Sequence, residues 1–262
     1  MPKVKDILDF IYRIAPAHMA MDWDHIGLLC GRSDREVRRV MVALDPFLHV
    51  AQEAAAENCQ LLVTHHPCIW NLETVNDETQ QGSVLLYLVE QGISTINAHT
   101  NLDCAPGGVN DCLAAVLGLN DVVVIDPVGK DLKGRDYGLL RGGSVAEVSP
   151  EVFVQQVKSA LGCEGLRYAS AGRPVTRVAV GGGSCSDGLK RAAQLGYDAF
   201  VTADCKYNAF ADAMDYGITL VDAGHFHTEN PVCAVLAEKI QQAFPELEVL
   251  LSKSHGDCIK FL

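Results

Sequence analysis

His65 and His66 stand side by side at the end of an apolar run, Leu61-Leu62-Val63-Thr64-His65-His66-Pro67. Histidine is the commonest protein metal ligand and also moves protons at neutral pH. Adjacent residues on an extended chain point apart, so the two rings suit two neighbouring ions better than one. Pro67 then ends the run, because it continues neither a strand nor a helical turn. The same two residues also read as partly buried histidines at a turn, and the rest of the chain must decide.

Further candidates are His99 and Asp103, Asp204 within Thr202-Ala203-Asp204-Cys205, then His225, His227 and Glu229. His99/Asp103 and His225/Glu229 are each spaced i, i+4, so a helical first turn would put both members of a pair on one face. Mixed imidazole and carboxylate donors suit zinc, iron(II), manganese, cobalt or nickel, whereas structural zinc is more often held by cysteine. Cys68, Cys104 and Cys205 lie close by without ligand spacing and read as bystanders. Two ions need a bridging group, and Asp103 or Glu229 is the natural choice. His25 is a weaker candidate that reads better as hydrogen-bonded structure.

These candidates follow segments that must place them. Val4, Ile7, Leu8, Ile11 and Ile14 recur at helical spacing, predicting a helix over 3–15 that stops before Pro16. Strands are expected in 23–31 and at 40–44, 61–64 and 93–97, with helices at 50–57, 83–90 and 109–117. The alternation predicts an α/β fold with mostly parallel sheets covered on both faces. Residues 178–182, 197–202 and 217–225, with a helix over 187–195, can be laid beside 40–44, 59–64 and 92–99, which predicts two related α/β halves. Sites in such sheets lie at the carboxyl ends of strands, where the candidates fall. The expected domains are 1–125 and 126–262, the second including a small added α+β segment over 126–173. In that segment Ser149-Pro150-Glu151 starts a helix, and 137–145 and 166–169 are expected as strands of a small added sheet. Gly138, Gly142 and Gly143 lack the order of a phosphate loop. Gly181-Gly182-Gly183-Ser184 could hold an anion on its amides, but reads better as a tight strand-to-helix turn.

Hydrophobic content of 48% supports a well-buried core. With 21 basic and 33 acidic residues the formal charge is −12, so no nucleic-acid partner is expected. An anionic small substrate remains open if metal ions supply the positive charge. Ten scattered cysteines without CxxC spacing, no leader-like start and no apolar run near the ~20 residues that span a bilayer predict a cytoplasmic protein away from membranes.

Four ordered motifs carry a resemblance over nearly the whole chain: Trp23-Asp24-His25-Ile26-Gly27-Leu28, Thr64-His65-His66-Pro67, Ala98-His99-Thr100-Asn101-Leu102-Asp103 and Gly224-His225-Phe226-His227-Thr228-Glu229. Together they resemble the Nif-three-like proteins, a dinuclear-metal-centre family catalogued as GTP cyclohydrolase I type 2 homologues. The resemblance implies a Nif-three-like fold and two divalent metal ions per chain. It carries the ligands over to His65, His66, Asp103, His225 and Glu229, with Glu229 bridging. It also implies a homohexamer, a trimer of dimers, with sites facing an internal cavity. The chain departs from the family pattern at Asp24-His25, where Asp-Asn is usual, and at Thr202-Ala203-Asp204, where Thr-Gly-Glu is common. The inserted domain of longer members has no room here.

The expected function is that of a dinuclear metal-binding protein acting as a metal-dependent hydrolase on a small molecule. His99, His227 or Asp204 would move protons or support the ligands. The family label points to opening of the guanine ring of GTP, while phosphoester or amide hydrolysis suits the same metals. Metal delivery without turnover is the alternative of a different class, and a structural role for the ions is a third.

Overall fold

A computed structural model describes residues 1–72 and 74–262. The elements run α1 (Val4–Ile14), β1 (Gly27–Cys30), β2 (Arg39–Ala43), α2 (Leu48–Ala56), β3 (Leu61–Thr64), α3 (Gln80–Glu90), β4 (Ser94–Asn97) and α4 (Thr100–Cys104). They continue with α5 (Val109–Val116), β5 (Asn120–Ile125), β6 (Gly129–Lys130), β7 (Asp136–Tyr137), β8 (Leu140–Val148), α6 (Pro150–Leu161) and β9 (Arg167–Ala169). Last come β10 (Val175–Val180), α7 (Leu189–Gln194), β11 (Ala199–Thr202), α8 (Tyr207–Tyr216), β12 (Thr219–Asp222), α9 (His225–Glu229), α10 (Pro231–Ala243) and β13 (Glu248–Leu251).

The chain forms two compact units, Met1–Leu102 with Val232–Gly256, and Asp103–Pro231 with Asp257–Leu262. This division differs from the sequence expectation at 125/126 for two reasons. Helix α5 packs Leu113 and Ala114 into the second unit's core, and β13 pairs in parallel with β2 in the first.

In the first unit a five-stranded sheet runs β1-β4-β3-β2-β13. Strands β2, β3 and β4 are parallel, with β1 antiparallel outside β4. All four residues of β3 and of β4 are buried, as an apolar run covered on both faces requires. One face packs Met41, Ala43 and Leu62 against Val50, Ala54, Val84 and Leu88 of α2 and α3. Of the predicted apolar stripe, helix α1 buries Val4, Ile7 and Ile11, with Leu8 and Ile14 half-buried.

The second unit has a six-stranded sheet in the order β5-β8-β10-β11-β12-β9. Its parallel core β10-β11-β12 has β9 antiparallel outside β12. The orders β1-β4-β3-β2 and β9-β12-β11-β10 are the same path drawn twice, so the two halves are related, as the sequence comparison predicts. The expected small added sheet is corrected. Strands β8 and β9 complete the main sheet, β8 against the open edge of β10 and β9 against that of β12. A separate two-stranded ladder comes from β6 and β7 instead. Helix α6 starts as its sequence predicts: Ser149 Oγ accepts the Val152 amide, Pro150 fills the first helical position, and Gly162 closes the helix at φ 67°. Among the described residues no helix is long and apolar enough to cross a membrane.

Candidate metal centre

Register brings the first group of donors together. Ala43 pairs with Thr64 and Thr64 with Asn97, so the residues that follow β2, β3 and β4 leave the sheet along one edge. Those residues are Asp45, His65 with His66, and His99. His65 Nδ1 lies 2.8 Å from the carbonyl of Ala98, His66 Nδ1 2.6 Å from Oδ1 of Asp45, and His99 Nδ1 2.9 Å from Oδ1 of Asp24. A carbonyl or a carboxylate only accepts, so each Nδ1 carries the proton and each Nε2 keeps its lone pair. One donor atom from each of the three rings lies within 4.8 Å of the others. This is the arrangement in which an outer partner fixes tautomer and ring orientation for a metal-ligating histidine.

Asp24 and Asp45 are held ionised. Burial acts to raise Asp24, but hydrogen bonds from His99 and from the hydroxyl and amide of Thr100 outweigh it and bring the carboxyl to about 2. Burial likewise opposes ionisation of Asp45, and hydrogen bonds to His255 and His66 drive its carboxyl well below the usual range. The His255 ring lies 2.9 Å from Oδ2 of Asp45, so one carboxylate organises two imidazoles. Two exposed indoles complete the surroundings, Trp23 with its ring centroid 6.0 Å and Trp70 5.2 Å from that of His99, both edge to face.

The second unit uses its own edge in the same way. Val180 pairs with Val201 and Thr202 with Asp222, so the Gly181–Gly183 turn, Asp204 and His225 all follow strand ends at one side of the sheet. Nδ1 of His225 is 2.7 Å from Oδ2 of Asp204, and its Nε2 is 2.9 Å from Oε2 of Glu229, one turn along α9, so both ring nitrogens face carboxylates. The i, i+4 spacing therefore converges two donors on one point, as expected. Glu229 and Asp103 are both buried, at 4% and 8% exposure. Asp204 has φ 52°, a left-handed conformation that aspartate adopts more readily than most residues, at the position that supports His225.

The glycine turn after β10 proves to be part of this second group. Gly183 has φ +62°, and a Cβ built on it would overlap Oε1 of Glu229 and lie 3.1 Å from Nε2 of His225. Its amide donates to Thr228 Oγ1 at 3.0 Å, and the Gly182 amide donates to Asn110 Oδ1 at 2.7 Å. These amides are spent on the protein itself, so the tight-turn reading holds over the anion-binding one.

Other predicted residues fall outside the two groups. His25 is exposed, and its contribution is a backbone carbonyl that accepts from Asn97 Nδ2 at 3.0 Å. His227 has Nδ1 3.2 Å from the Leu161 carbonyl and Nε2 3.1 Å from Asp257. Both ring nitrogens thus face acceptors, and the structure does not bring His227 to His225 and Glu229. Sequence reasoning gave Asp24, Asp45, Gly183 and Asn110 no role at a metal centre. Asp45 was within reach, because it stands just past a predicted strand at the edge that His65 and His99 share.

The donor set fits divalent cations. In the first unit three imidazoles present Nε2 with Nδ1 anchored, and in the second two buried carboxylates stand in a medium where a cation is a favourable neighbour. Residues 2–257 match the family Duf34/NIF3, NGG1p interacting factor 3. The chain belongs to the Duf34/NIF3 family. Within it, the GTP cyclohydrolase 1 type 2 homolog of Clostridium perfringens is 31% identical over 99% of this chain and 100% of that one. The homolog of Streptomyces coelicolor is 34% identical over 98% and 93%. Among solved structures, a Bacillus cereus protein related to NIF3 superposes with a TM-score of 0.94 at 23% identity, covering 100% of this chain and 99% of that one. The last comparison bears on the fold, and the Duf34/NIF3 fold is the one described above.

Proposed function

We propose that this Duf34/NIF3 protein is a dinuclear-metal hydrolase acting on a small, anionic molecule. His65, His66, Asp103, His225 and Glu229 would hold the ions, as the family resemblance carries them over, with Glu229 as the carboxylate shared between them. The observation that carries the reading is the common anchoring of the histidines: His65, His66 and His225 each have Nδ1 tied to an acceptor, and Nε2 of His225 turns to Glu229. When bound, the ions supply Lewis acidity to a substrate oxygen and to water.

The chain's own residues account for the proton chemistry. His99 is oriented by the ionised Asp24, so its Nε2 can take a proton while the carboxylate stabilises the resulting imidazolium. Asp204 supports His225 and fixes the orientation of its ring. The name shared by the relatives, GTP cyclohydrolase 1 type 2 homolog, supports GTP as the first substrate to assay, with phosphoesters and amides beside it. A cytoplasmic homohexamer is the proposed context, and light scattering checks the assembly.

One observation favours a second reading, metal delivery without turnover. The side chain of His225 is 33% exposed and that of its partner Asp204 46%, so one ligand stands within reach of an exchanging partner. The deciding experiment is metal content per chain on protein purified without added metal, followed by hydrolysis assays with zinc, iron, manganese, cobalt and nickel. About two ions per chain with metal-dependent turnover supports the hydrolase. Two readily exchanged ions without turnover supports delivery, and no bound metal sinks both.

A further inference from the structure

We infer that Asn110 is a positioning residue that sets the two buried carboxylates, Asp103 and Glu229, at the spacing that divalent ions require. The inference rests on the ligand set proposed above and adds to it a residue that touches neither ion. Asn110 is the second residue of α5 and is 0% exposed. Its Nδ2 donates to the backbone carbonyl of Asp103 at 3.2 Å, and its Oδ1 accepts the Gly182 amide at 2.7 Å. The orientation of the amide follows from its partners, since a carbonyl only accepts and a peptide N–H only donates.

Each bond ends on the support of one carboxylate. On one side the Asp103 carbonyl belongs to α4, a helix of five residues with no length of its own to hold the Asp103 side chain in place. On the other side Gly182 and Gly183 form the surface on which Glu229 rests. A Cβ on Gly182 would come 3.3 Å from Cγ of Glu229, and one on Gly183 would overlap its Oε1. Thr228 closes the chain of contacts, accepting the Gly183 amide on Oγ1 and donating from it to the carbonyls of Gly224 and His225 at the start of α9. The path from Asp103 to Glu229 therefore runs through one planar amide. A carboxamide supplies the donor and the acceptor at once. A carboxylate at position 110 would turn an acceptor toward the Asp103 carbonyl, and a hydroxyl is too short to reach both partners.

A purely architectural asparagine would satisfy two buried backbone groups and leave metal binding alone. Asn110→Asp and Asn110→Ser in the full chain separate the two roles, with cobalt(II) as the probe. The readouts are affinity from chelator competition, the visible d–d spectrum that reports ligand geometry, and the thermal midpoint of the metal-free protein. The expected result is folded variants that bind cobalt about 10- to 100-fold more weakly, the range seen when outer partners of ligands are removed, with an altered d–d band. Folded variants with wild-type affinity and spectrum overturn the inference and leave the ligand assignment standing. Loss of fold in both variants overturns it too, since Asn110 would then serve the core. Failure of the wild-type chain to bind cobalt overturns the ligand assignment itself and the inference with it.

Discussion

The carboxylate of Glu229 rests on the bare Cα of Gly183. With φ +62° and a built Cβ that overlaps Oε1, position 183 accepts no side chain without moving the carboxylate. Gly183→Ala carries about 1–2 kcal/mol of left-handed backbone cost and displaces Glu229. The expected outcome is a folded protein with a lowered thermal midpoint and reduced metal content, read by elemental analysis beside calorimetry.

Glu229→Ala removes the proposed bridge, and binding of both ions should be lost. His65→Ala should cost one ion selectively, while His99→Ala keeps the metal content and slows turnover. Elemental analysis of the three proteins checks all of this. Two retained metals in Glu229→Ala would falsify the bridging role, and an emptied site in His99→Ala would make His99 a ligand.

Asp45 lies behind His66 and holds that ring through Nδ1. Asp45→Asn keeps the shape and removes the charge, so metal affinity should fall about 10- to 100-fold. Chelator competition measures the drop. An unchanged affinity would mean that His66 is held by packing alone.

Glu53 fastens the segment after β13. Burial acts to raise its carboxyl, but hydrogen bonds from the Ser252 hydroxyl, the Lys253 amide and the Ser254 hydroxyl and amide outweigh that and bring it to about 2, from an ordinary 4.5. A depressed carboxylate stabilises the folded state above its ordinary value and loses that contribution as pH falls through the folded one. Amides of 252–255 should therefore exchange faster as pH drops from about 4.5 toward 2, after correction for intrinsic rates. Glu53→Gln should remove this pH dependence, and a profile shared by both proteins would count against the fastening role.

Arg141 is 1% exposed and donates to Asp111, Gly138, Cys104 and Ala105. Arg141→Met leaves those buried carbonyls without their donor, and the loss should be about 3 kcal/mol, the lower end for breaking a buried pair because Asp111 reaches solvent. Urea denaturation gives the number. A change below about 1 kcal/mol would show that water replaces the guanidinium.

What the sequence made legible was local. Leu61–Thr64 is a strand with the predicted bounds, since an apolar run between Gln60 and a histidine pair leaves little choice. His225 and Glu229 converge because four residues make one helical turn. Asp24 was harder, because it meets His99 across 75 positions and strand pairing brings the two together. Strand β13 was missed for the same reason: nothing in Glu248–Leu251 names β2 as its neighbour. Gly183 reads as a turn residue, and only the path of α9 shows that the missing side chain also makes room for a carboxylate.

The pairing of β13 with β2 has a consequence for synthesis. Arg39 and Glu248, partners at one end of that ladder, are 209 positions apart. At about 5–20 residues per second the ribosome needs roughly 10 to 40 s to cover that distance. Throughout that interval the nascent sheet presents β2 as a bare strand edge, the kind of surface that recruits other chains. The second unit's strands have all been made by then, so the half that begins first at the ribosome is the half that finishes last.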